Sequence, residues 1–72
     1  MEGSMRLEPG KLRRARELAL LTQADLAART GVGESTINRL EQGLQSPRIS
    51  TIRKLSDALN VDVRDLIVKE DT

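Results

Sequence analysis

Apolar residues fall at helical spacings in successive short stretches of this chain. Leu12, Ala15 and Ala19 lie at i, i+3 and i+7 and predict a first helix from Pro9 or Gly10 to about Leu20, with Pro9 suited to its first turn. Leu21 links it to a second helix, Gln23 to Arg29. Thr22 is a good N-cap there, and Asp25 three residues on completes a capping-box-like T-x-x-D. Leu26 and Ala27 give that helix its buried side. Gly31 supplies the positive φ of a sharp exit, and Val32 fills the corner. A third helix, Glu34 to Gln42, buries Ile37 and Leu40 before Gly43 stops it. Gly43 to Arg48 is a loop holding Pro47. Ile49, Ile52, Leu55 and Leu59 mark a fourth helix, with Asn60 as its stop, and Asp62 with Asp65 predicts a cap and a short fifth helix through Leu66 and Ile67. The expectation is an all-α domain of five short helices around one aliphatic core, spanning residues 9–68. A flexible leader (1–8) and a short acidic tail (69–72) flank it. Gly3-Ser4-Met5 is the kind of run left by cloning, which leaves Met1 and Met5 both open as the native start.

The exposed side of the third helix is the informative one. Glu34, Ser35, Asn38 and Arg39 form a row of hydrogen-bonding groups on one face. A short helix set at a steep angle by a glycine turn, with such a row outward, is shaped for the major groove of DNA.

Composition narrows the alternatives. With 72 residues and no Cys, His, Phe, Tyr or Trp, the core must come from Leu, Ile, Val and Ala, without disulfides or the common zinc sites. General-base and nucleophilic catalysis lack their usual residues and there is no Gly-rich phosphate loop, so no enzyme and no cofactor are expected. Single-strand binding by base stacking lacks its aromatic platform. No apolar run approaches the ~20 residues of a membrane span, so a cytoplasmic protein is expected. Net charge is +1, but residues 1–54 hold ten Lys/Arg against six Asp/Glu and residues 55–72 hold two against five. That asymmetry gives mild support for an orienting interaction with a phosphate backbone.

The segment from Thr22 to Gly43 resembles the lambda-repressor/Cro-type (Xre-like) helix-turn-helix proteins. The matching residues are TQ-x-x-LA (Thr22, Gln23, Leu26, Ala27), GV (Gly31, Val32) and TI-x-x-x-E-x-G (Thr36, Ile37, Glu41, Gly43). The likeness extends through LRRAREL (Leu12 to Leu18), Pro47 and Thr51 to Leu66, and so covers roughly residues 11 to 68. It implies the compact lambda-repressor-like fold, with the helix-turn-helix at helices 2 and 3. Two positions depart from the family pattern. Leu20 stands where glycine is common, which puts the usual left-handed exit from helix 1 in doubt and exposes an extra apolar side chain. Gly33 replaces the more common Ser or Thr cap, at little cost.

Candidate contacts follow. Glu34 can only accept, which suits cytosine N4 or adenine N6 amino groups; Ser35 discriminates little; Arg39 can fork onto guanine O6/N7 or grip a phosphate, and Asn38 beside it can serve either role, all four being candidates for base edges. Each has a plainer reading as part of a solvated helix face. The resemblance implies that Gln23 bridges a phosphate and Glu34, and that Arg16 in helix 1 pairs with Glu41 as a structural tie. Thr22, Thr36, Arg48 and Arg14 complete the phosphate-contact candidates. The expected partner is double-stranded DNA, bound by a homodimer on a near-palindrome. Dimer contacts are expected among Leu44, Val63, Leu66, Ile67 and Val68, residues that equally well complete the core. A protein-interaction module of antitoxin or adaptor type is the rival reading, and a fragment of a larger regulator is a third.

Overall fold

The computed structural model describes residues 5–68. In it α1 spans Pro9–Leu18, α2 Gln23–Thr30, α3 Glu34–Glu41 and α4 Ile49–Leu59, followed by a single 3-10 turn at Val63–Asp65. α2 packs on α3 and α4, α1 on α3, and α4 on the 3-10 turn. The core is aliphatic: Leu7, Leu12, Leu26, Ile37, Leu40, Ile52, Leu55, Leu59 and Leu66 are buried, with smaller residues such as Ala15, Ala27 and Val32 packed around them. Ser56 is buried although polar, and its hydroxyl donates to the Arg53 carbonyl.

Local chemistry sets the helix starts. Glu8 caps α1 by accepting from the Lys11 N–H at 2.8 Å, ahead of Pro9. α2 opens with a full capping box: Thr22 Oγ1 accepts from Asp25 N–H, and Asp25 accepts from Thr22 N–H. Asp62 and Asp65 repeat the device at the 3-10 turn.

The helix ends share a second device. At α1, α3 and α4 a residue with positive φ lets the next N–H reach back to a carbonyl five residues earlier, a Schellman closure. The pairs are Leu21 N–H to Arg16 C=O, Leu44 N–H to Arg39 C=O and Val61 N–H to Ser56 C=O. The residues carrying the turn are Leu20 (φ 62°), Gly43 (φ 76°) and Asn60 (φ 57°). The left-handed exit of α1 is therefore kept although leucine occupies it. Its side chain is 89% exposed, so no packing offsets a backbone cost of about 1 kcal/mol.

Four expectations need correction. The fifth helix is one 3-10 turn, leaving four α-helices among the described residues, because its backbone groups are taken elsewhere. Leu66 C=O accepts from Glu8 N–H and Val68 N–H donates to Arg6 C=O, in a short antiparallel bridge that joins Leu7 to Ile67. That bridge also pulls the end of the expected leader into the fold, with Leu7 buried; residues 1–4 and the acidic tail 69–72 lie outside the described residues. Helix 1 stops at Leu18 rather than Leu20, which leaves Ala19 exposed, and Ile49 at the start of α4 is 48% exposed rather than core.

Leu20→Gly is expected to raise stability by up to about 0.5 kcal/mol, strain relief slightly outweighing the added freedom of the unfolded chain, and to raise Tm by a few degrees at most in thermal unfolding. The caps predict a pH dependence. Asp25 lies below the ordinary carboxylate range through hydrogen bonds from the backbone and then the hydroxyl of Thr22; Asp62 does so through the backbone and then the side chain of Arg64. A folded value below the unfolded ~3.9 means stability that is present above that value and lost as pH falls through the lower, folded one. Urea unfolding from pH 7 downward should show a shallower acid limb for the double variant Asp25→Ala, Asp62→Ala than for the parent.

Candidate nucleic-acid interface

Ile37 and Leu40 pin α3 to the core, and Glu34, Ser35, Asn38 and Arg39 are all exposed on it; Thr36 is half-buried. The turn before it follows from sequence. Gly31 adopts φ 80°, and its N–H closes on Ala27 C=O at 2.8 Å. Thr30 Oγ1 donates to Leu26 C=O and accepts from Val32 N–H, fixing the corner residue.

A buried ion pair sets the position of α3 against α1. Arg16 Nε–H and Nη2–H donate to the Glu41 carboxylate at 2.6 and 3.0 Å, and Nη1–H donates to Leu21 C=O at 2.8 Å. The Glu41 side chain is 4% exposed and that of Arg16 12%. The hydrogen bond from Arg16 to Glu41 raises the already high guanidinium pKa, so Arg16 stays charged. Glu41 also accepts from Gln23 Nε2 at 3.1 Å, and the same amide lies 3.3 Å from Asn38 Oδ1. Gln23 thus reaches Asn38 and Glu41 rather than Glu34. The two acceptors are i, i+3 neighbours on α3, and one of them carries a charge.

Arg39 is held from outside the helix. Its Nε–H donates to Gln45 Oε1 at 2.9 Å, and its Nη2 lies 3.4 Å from Thr36 Oγ1. Gln45 was not foreseen. Its signal was Gly43, whose left-handed turn folds the loop back over α3. Thr22 Oγ1 accepts from Asp25 N–H in the capping box, and its hydroxyl bears on the Asp25 carboxylate, so this side chain is turned to its own cap. Arg48 is exposed at the N-cap of α4.

Other candidates lie elsewhere. Arg14 lines a groove of about 980 Å³ between α1 and the C-terminal segment, together with Leu18, Leu59, Val61 and Val68. It lies two positions before Arg16, which turns it to another side of α1. Leu66 is fully buried and belongs to the core, so it leaves the set of dimer candidates. Val63, Ile67 and Val68 are half-buried, and Leu44 is 68% exposed. Among the described residues no cluster of acidic side chains fit to hold a metal ion exists, and no helix is long and apolar enough to cross a membrane.

This geometry is that of a helix-turn-helix domain, and comparison with known proteins agrees. A family model described as helix-turn-helix (HTH_3) matches residues 12–66. The chain belongs to this family, of the Xre/lambda-repressor type. It is 36% identical over 61 residues to an uncharacterised HTH-type transcriptional regulator of Methanocaldococcus jannaschii, covering 85% of this chain and 92% of that one. It is 34% identical over 62 residues to the cryptic phage CTXphi transcriptional repressor RstR of Vibrio cholerae, covering 86% of this chain and 56% of the repressor. The crystal structure of SinR, a master regulator for biofilm formation, in complex with DNA superposes with a TM-score of 0.77 at 27% identity, over 81% of this chain and 97% of that one.

Glu41→Ala is expected to cost about 3 kcal/mol, because it leaves the Arg16 guanidinium largely buried without its carboxylate. Chemical denaturation checks this. Replacing the pair together, with Arg16→Met and Glu41→Leu, should cost clearly less than the single change.

Proposed function

We propose that this protein is a sequence-specific regulator of transcription that binds double-stranded DNA through α3, acting as a homodimer on a near-palindromic operator. The observation that carries the reading is the exposed row Glu34, Ser35, Asn38 and Arg39 on a helix whose other side is locked into the core. The likeness to a repressor and to a DNA-bound regulator supports it. Arg39 reads guanine, Asn38 and Ser35 lie beside it, and Glu34 accepts from an amino group at the start of the helix. Thr22, Gln23, Thr36 and Arg48 supply phosphate contacts that set register. Arg14, on the groove side of α1, is left out of that set. One domain of this size reads few base pairs, so two copies related by a two-fold axis would place half-sites about one turn, ~34 Å, apart. Leu44, Val63, Ile67 and Val68 remain as dimer contacts.

A second reading, a protein-interaction module, draws on the exposed Leu18 (73%) and Leu20 (89%), of which Leu18 lines the groove. Selection from a random duplex pool at near-physiological salt separates the two. Enrichment of a two-fold symmetric site is expected. Retention at low salt alone, without enrichment, would favour the interaction module. On the selected site Arg39→Ala should lose preference at one base pair per half-site. Arg48→Ala should weaken all sequences alike and reduce the salt slope by about 1 per monomer.

A further inference from the structure

We propose that Gln45 is a positioning residue for Arg39: from the loop beyond α3 it fixes the guanidinium so that its outer fork faces the DNA. The proposal rests on the reading of Arg39 as a base contact and adds how that contact is oriented.

The geometry starts at Gly43. With φ at 76° it turns the chain back, Leu44 N–H bonds to Arg39 C=O at 2.9 Å, and the next residue, Gln45, lands beside the Arg39 side chain. Gln45 Oε1 then accepts from Arg39 Nε–H at 2.9 Å. Arginine has donors only, so the amide must present its oxygen here and its NH₂ group points elsewhere. Thr36 Oγ1, one turn back on α3, lies 3.4 Å from Nη2 on the same guanidinium. Of the five N–H groups of arginine the inner one is thus occupied. Of the other four, one each from Nη1 and Nη2 form the outer fork that matches guanine O6 and N7. A long exposed arginine otherwise samples many rotamers and loses that freedom on docking. Holding it in advance favours the fork over the side-on approach and sharpens the choice of base.

The test measures binding of the full chain to the selected duplex and to single-base variants of it. Arg39→Ala should lower the preference at its base pair by about tenfold or more. Gln45→Ala should lower it at that same base pair by about threefold. Gln45→Glu, whose carboxylate accepts the same Nε–H, should restore the ratio of right to wrong base while weakening overall affinity beside the phosphates. In the Arg39→Ala background, Gln45→Ala should add nothing at that position. Gln45 is exposed, so these variants should fold, as thermal unfolding would verify.

An unchanged preference in Gln45→Ala, with Arg39→Ala still defective, overturns the proposal and leaves the base-contact reading intact. Loss at a different base pair, additive loss in the double variant, or no restoration by Gln45→Glu also overturns it, since each makes Gln45 a DNA contact or a bystander. If Arg39→Ala itself changes no preference, the base-contact reading fails and this proposal falls with it.

Discussion

The Arg16 guanidinium is the constraint around which the helix-turn-helix part of this fold is arranged. One planar fork binds the Glu41 carboxylate through two N–H groups and the Leu21 carbonyl through a third. It ties α1 to the corner before α2 and to the last residue of α3. Leu and Ile contacts between short helices are adaptable, and this core has no aromatic ring to lock them. Directional, charge-assisted hydrogen bonds fix what aliphatic packing leaves loose. The angle of α3 depends on that more than the total stability does, because desolvation consumes much of the Coulomb gain of a buried pair.

The same carboxylate carries the order outward. Glu41 accepts from Arg16 on one side and from Gln23 on the other, and Gln23 reaches Asn38 on the exposed face. Rigidity therefore passes from a buried charge pair to a candidate reading residue in two hydrogen-bonded steps. Among the described residues no buried side-chain N or O atom lacks a partner, so nothing in this polar seam offsets its ordering effect.

What the sequence disclosed depended on whether the deciding interaction was local. The α2–turn–α3 unit was legible because Thr22, Asp25, Gly31 and Gly43 each act within five residues, through caps and left-handed turns. The fifth helix was misjudged for the opposite reason. Asp62 and Asp65 do form a cap, but the competing partners of Leu66 and Val68 lie about 60 residues away, in the 6–8 segment. No periodicity reveals a bridge of that span. Leu7 was missed with it. Leu20 shows that position within a motif can outweigh residue preference: the closure by Leu21 N–H and the burial of the helices on either side hold a leucine where glycine would be at ease. On the reading face, the exposed row followed from helical spacing, whereas the grip of Gln45 on Arg39 needed the fold of the loop.

The two ends of α3 are built differently, and that difference bears on how such a domain changes what it reads. The N-terminal end begins at Gly33, with no side-chain cap, and carries Glu34 and Ser35, both exposed. Glu34 there gains only the modest favour of a negative charge at a helix start. From Ile37 onward the helix holds Ile37, Leu40 and Glu41, which are committed to the core and to Arg16. Substitutions at 34 and 35 therefore cost the fold little, while those at 37, 40 and 41 alter the helix's seat. Arg39 lies between the two regimes, exposed but held by Gln45 and Thr36. If α3 reads DNA as proposed, a change of base preference is easiest at its first turn and becomes more entangled with stability toward its end.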